Sequence, residues 1–228
     1  MSKRDRIAEI AEVKARGLAA GHPYKVAITH LRNLEDAIAE MDRKDLSRRA
    51  EWEVYRGLPV LVTATLESYF RATIARLVDS GDPFRGRARD LRELKLDITM
   101  LLAMEGERVT LGELVAHSLS LNGPEELGTA FKMVSGEDLW PKLGPNREAA
   151  TGQPHLFPRT DEEARAYYFG GLRELYRIRH IVCHEQRSNA EVSAADAAAF
   201  CDIALEFLLI LEYLVDEMLR SRESREPN

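Results

Sequence analysis

The 228 residues suffice for one large or two small domains, and 45% apolar with 31% charged residues is ordinary globular composition. A formal net charge of −6 argues against a broad basic surface for bulk nucleic-acid binding, so any RNA contact has to use a local cluster of cations. Cys183 and Cys201 make neither a disulfide framework nor a zinc pattern, which points to a reducing, cytoplasmic setting.

At the start, MSKRDRIAEI is charged and has no apolar centre, and no long apolar run follows it. Ile7, Ile10, Ala11 and Val13 set an amphipathic stripe on a first helix that Gly17 to Gly21 ends, with Pro23 placed to restart the chain. Tyr24 to Asp45 is a second helix. Val26, Ile28, Leu31, Leu34, Ala37, Ile38 and Met41 recur on it at helical spacing, and Arg32, Glu35, Asp36, Glu40 and Asp42 leave a wide solvated face. A third, long helix runs from Arg48 to Val78, with Pro59 expected to kink or restart it. Glu67 falls on a line with Val60, Ala64, Phe70 and Ile74, so its carboxylate points among apolar neighbours. It needs a cation, for which Arg179 in a bidentate pair is the candidate, unless it reaches solvent past Arg71.

Ser80 to Asp90 reads as a Gly/Pro-broken loop whose Arg85, Arg87 and Arg89 are either solvated or hold an RNA backbone. Leu91 to Met104, Leu111 to Leu119 and Glu125 to Val134 follow as helices, the last capped by Asn122 and Pro124. Pro141, Gly144, Pro145, Gly152, Pro154 and Pro158 mark Trp140 to Arg159 as a long loop. Thr160 and Glu163 make a capping box for the next helix, and Ser193 caps the final one, Ala194 to Arg220. Its most apolar run, Ala204 to Val215, carries Glu206 and Glu212 and is too short and too charged to cross a bilayer. No strand pattern and no repeat occurs, and the tail SRESREPN is expected to fray.

Chemistry concentrates on the helix through Tyr167 to Arg187. Wound at about 100° per residue, it gathers Tyr168, Leu172, Leu175, Ile178 and Val182 into an apolar arc with Arg179 near its middle. A guanidinium keeps its charge, so Arg179 needs a carboxylate, a phosphate or a water-filled cleft facing it. His184 lies roughly 140° around and about 7.5 Å along the axis, on an edge shared with Arg173, Arg177 and His180. The helix thus offers a fixed cation and an imidazole separated by four residues. His180 and His184, at i and i+4, are spaced to share a metal, but the zinc-protease order H-E-x-x-H and a third ligand are missing, so no metal is assigned. Cys183 is read as a packing residue, since adjacent helix positions diverge by about 100°.

Arg179-His180-Ile181-Val182-Cys183-His184 is an R-x4-H motif that resembles the signature of the HEPN superfamily of helical-bundle ribonucleases and toxins. Two stretches resemble the RiboL-PSP-type group of that superfamily: Leu61 to Val78, like its long aromatic and acidic helix, and Leu119 to Trp140, like its middle segment. The likeness covers roughly Arg48 to Leu219. It implies an all-α, HEPN-like up-and-down bundle over residues 48–222; the helices of 1–47 fall outside the likeness and are read as an N-terminal extension packed on the bundle, and 223–228 as a disordered tail. It also implies metal-independent RNA cleavage by attack of the 2′-hydroxyl, leaving a 2′,3′-cyclic phosphate, in a toxin or defence protein without cofactors. Arg179 and His184 are then catalytic, and His180, Arg177, Arg173 and Glu67 bind substrate or support them. Because Arg179 and His184 diverge on one helix, a homodimer with a composite site is expected. A nucleotidyltransferase-type antitoxin is a further implied partner. The competing expectation is an inactive HEPN-like scaffold module that binds a protein or RNA.

Overall fold

The computed structural model describes residues 22–41, 43, 47–89, 109–144, 160–184 and 191–224, and every regular element among them is an α-helix. They are α1 (Pro23–Met41), α2 (Arg48–Asp79), α3 (Phe84–Ala88), α4 (Leu111–Ser118), α5 (Pro124–Ser135), α6 (Asp161–His184) and α7 (Ala194–Glu223), with a further helical turn at 140–144. The all-α expectation holds. The expected helices over 7–13 and 91–104, most of the loop before α6, Glu185, Arg187 and the end of the tail lie outside the described residues.

α2 packs against every other helix named above. Its sequence explains this: Leu58, Val62, Leu66, Tyr69, Phe70, Ile74, Leu77 and Val78 are buried on several sides of the helix, the pattern of a central element. Burial of a side chain of this size stabilises by about 1.5–3 kcal/mol, so this helix anchors the core. Pro59 does not restart it. The helix runs through the proline, which is itself buried, and the Thr63 hydroxyl donates back to the Pro59 carbonyl at 2.8 Å. α1 lays Ala27, Leu31, Leu34 and Ile38 on the core, at spacings of one helical turn.

Close approach is set at two glycines. A Cβ on Gly112 would stand 2.3 Å from the Ala75 carbonyl oxygen, so only glycine lets α4 touch the α2 backbone; there the Gly112 N–H donates to Asp79 Oδ1 at 2.9 Å. A Cβ on Gly171 would meet Ile203 Cδ1 at 1.9 Å, where α6 crosses α7. The acidic residues inside the apolar run of α7 have partners: the Tyr168 hydroxyl donates to Glu206 at 3.0 Å, and Tyr69 and Arg76 both donate to Glu212.

Three local expectations change. Gly123, not Asn122, is the N-cap of α5, with Pro124 at its first position, and the Asn122 amide donates instead to Ser120 Oγ at 2.9 Å. The stretch read as a loop after Ser80 contains the short helix α3, closed against the core by buried Phe84 and Ala88. Its arginines are held by carbonyls: Arg87 donates to the Ser135 oxygen, and Arg85 to that of Asp79 at 3.2 Å. Trp140, expected to open a loop, is buried against Phe169 and Phe207 instead.

Candidate functional site

α6 starts where its capping residues dictate. The Glu163 N–H donates to Thr160 Oγ1 at 3.1 Å, and the Thr160 N–H donates to Glu163 Oε2 at 3.0 Å, the reciprocal box that Thr-x-x-Glu encodes. From there Ala164, Tyr168, Leu172, Leu175, Tyr176 and Ile178 turn into the core. That stripe fixes the rotation of the helix, and the rotation leaves Arg179 half-buried at the core margin and His180, Cys183 and His184 in solvent.

Behind Arg179 lies a polar group that the core does not satisfy. Glu67, on α2, is half-buried, and its Oε1 is fully enclosed without a hydrogen-bond partner. Burial pushes its carboxyl above the usual range, and the positive charges of Arg179 and Arg71 offset only part of that rise. The expected bidentate pair is therefore not formed: Arg179 acts on Glu67 through its field, while one carboxylate oxygen stays unbonded. Arg71 has another task, since its Nη1 donates to the Ala116 and Leu119 carbonyls, at 2.6 and 3.3 Å, around the C-terminus of α4. Tyr176 is only 5% exposed, and its hydroxyl also has no hydrogen-bond partner. Its phenol is pushed up by burial first and then by the Glu67 charge, with Arg179 opposing.

On the outer side, the rings of His180 and His184 stand 4.8 Å apart with their planes tilted by 45°. They sit one turn apart on the same edge, as the i, i+4 spacing requires. The flanking arginines are less available than their charge suggests. Arg177 is held in a fork by Glu174, with bonds of 2.7 and 2.6 Å that also keep the Glu174 carboxyl below its usual range. Arg173 is exposed and lies 3.9 Å from Glu125 of α5. Of the residues assigned from sequence, Glu67 and Arg179 interact electrostatically between α2 and α6, His180 and His184 pair in solvent on α6, and Arg173 and Arg177 are turned to carboxylates. Among the described residues no group of three or more His, Cys, Asp or Glu side chains is placed to hold a metal ion.

Tyr176 was not among the sequence candidates. The signal was present: a phenol inside an apolar arc, one turn before an arginine, brings a polar hydroxyl that burial obliges to find a partner. Chemically, α6 carries a half-buried cation that acts on a half-buried carboxylate and a buried phenol, and two imidazoles that face solvent. Compared with protein-family models, curated proteins and solved structures, the chain matches none.

Proposed function

We propose that the protein is a metal-independent endoribonuclease of the HEPN type, in which Arg179 and His184 carry the reaction. One observation supports this most: the half-buried Arg179 and the exposed pair His180 and His184, with rings 4.8 Å apart, occupy the last turns of one helix. Cleavage of an RNA phosphodiester by its own 2′-hydroxyl needs a base near neutral pH and a cation for the charge gathering on phosphorus. His184 takes the proton of the 2′-hydroxyl as the new oxygen to phosphorus bond forms. The bond to the 5′-oxygen breaks, that oxygen receives a proton from an imidazole, and Arg179 stabilises the phosphorane. A second copy of α6 crossing the first supplies the second imidazole and completes the site, which makes the active species a homodimer.

A second reading, a HEPN-like module that binds without cleaving, is favoured by a different surface. Val54 and Leu61, two turns apart on α2, are 41% and 45% exposed. Labelled single-stranded RNA, and the same strand carrying 2′-O-methyl groups throughout, separate the two readings. The nuclease reading expects the first to be cut and the second to stay intact. Intact RNA in both reactions favours the binding module.

A further inference from the structure

Three arginines and a tryptophan share one side of the first turns of α2. At about 100° per residue, Arg48, Trp52, Arg56 and Arg49 fall within an arc of about 100°, with Glu51 beyond one edge and Glu53 beyond the other. Arg48 and Arg49 are exposed, Trp52 and Arg56 partly so, and the Arg56 guanidinium stands 4.7 Å over the Trp52 ring in a cation–π contact. Fold stability does not account for this set. Arg48 and Arg49 are the first two residues of the helix, at the positive end of its dipole, where cations are destabilising. Among the described residues neither is in an ion pair, whereas Arg173 and Arg177 of α6 are turned to carboxylates.

The helix directions place this stripe relative to α6. Tyr69 of α2 meets Glu212 of α7 and Arg76 meets Asp216, in rising order, so α2 and α7 are parallel. Tyr168 meets Glu206 and Gly171 meets Ile203, in opposite order, so α6 is antiparallel to α7 and therefore to α2. Past Arg179, which acts on Glu67, α6 thus runs toward the start of α2. Wound on along α2, the arc of the arginines returns at Glu67. At about 1.5 Å per residue, His184 lies about 7.5 Å beyond Arg179 and Arg56 about 16.5 Å before Glu67, so the stripe begins about 9 Å beyond His184, on the side of α2 that faces α6.

We infer that Arg48, Arg49, Trp52 and Arg56 form a track that holds single-stranded RNA where it leaves the Arg179 and His184 site. Arg48 and Arg49 bind backbone phosphates, and a base stacks on the Trp52 and Arg56 pair. An indole and a guanidinium plane accept any base, so the track holds the strand without reading its sequence. This rests on the proposed nuclease reading for the identity of the strand. It gives a chain of net charge −6 its hold on RNA through a local cluster of cations in place of a broad basic surface.

The test is binding of fluorescein-labelled oligouridine carrying 2′-O-methyl groups throughout, read by anisotropy at graded salt, with melting curves in parallel. Each phosphate contact on a single strand adds about 0.7 to the slope of log Kd against log salt, so Arg48→Gln combined with Arg49→Gln is expected to make that slope shallower by about 1.4. The double variant is expected to melt at or above the wild-type temperature, because two cations leave the positive helix end. Trp52→Leu is expected to raise Kd about tenfold at an unchanged slope, and Trp52→Tyr, which keeps a ring on the helix, to restore most of the affinity. A wild-type slope in the double variant overturns the phosphate contacts. Wild-type affinity in a folded Trp52→Leu protein, or Trp52→Tyr binding as weakly as Trp52→Leu, overturns the stacking. Binding of phosphatidylserine vesicles but not of the oligonucleotide overturns the track and makes the patch a membrane contact. Failure of the nuclease reading looks different: unmodified RNA that binds through these residues and is never cut keeps the track and removes the chemistry.

Discussion

Glutamine in place of Glu67 is expected to stabilise the fold at neutral pH, and the sign follows from the carboxyl itself. Its pKa is raised although Arg179 and Arg71 both pull it down, so the loss of solvation exceeds the attraction of the two cations, and ionised Glu67 is a net burden on the native state. A folded pKa above the unfolded one means stability that is fully present below the ordinary carboxyl range and lost as pH rises through the raised value. Glutamine keeps the shape and removes the charge. What glutamine removes is the net desolvation of the charge, and because Glu67 is only half-buried its cost after screening is about 1 kcal/mol. In a chain of this size that is a rise of about 2–4 °C in Tm. Differential scanning fluorimetry of both proteins from about pH 4 to pH 8 reads it directly. The gap is expected to open with rising pH and to close toward the acid end, where wild-type Glu67 is already neutral. A variant that melts lower at neutral pH, or a gap that does not vary with pH, refutes the reasoning and restores a formed Glu67 to Arg179 pair.

Gly112→Ala is expected to lower stability by about 1–3 kcal/mol, because its Cβ would stand 2.3 Å from a backbone oxygen of α2 that cannot move aside; chemical denaturation with an unchanged m-value checks it. Arg71→Met removes the donor that closes the end of α4 and is expected to cost about 1–2 kcal/mol by the same measurement. His184→Ala, a change at an exposed helix end, is expected to leave stability within about 0.5 kcal/mol of wild type while abolishing RNA cleavage. Light scattering at micromolar concentration is expected to find a dimer, and a fully active monomer would remove the composite site.

The parts of the fold legible in the sequence were those written in local chemistry. Ser193 and Thr160 cap α7 and α6 because each has its acidic partner three residues on, and the stripes of α1, α6 and α7 follow the helical period. The site was half legible for the same reason. Periodicity says that Glu67 and Arg179 face the core, but not how far one helix slides along the other. A shift of a fraction of a turn separates a bonded pair from two charges that interact only through their fields. Arg177 is the opposite case. Its partner Glu174 stands three residues earlier in plain view, so its engagement could have been read from spacing alone. The region after Ser80 misled because Gly and Pro mark a turn without excluding a short helix, and Phe84 buried against the core decides for the helix.

The central claim is that Arg179 and His184 make RNA attack itself, and the end groups of the products test it most directly. Purified protein incubated with a defined RNA oligonucleotide in excess EDTA, followed by mass spectrometry of the fragments, is expected to give 2′,3′-cyclic phosphate and 5′-hydroxyl ends. The same fragments are expected to be absent with His184→Ala and with Arg179→Ala. Fragments ending in a 5′-phosphate, or cleavage that stops in EDTA and returns with zinc or manganese, would contradict the account and turn the His180 and His184 pair into a metal site.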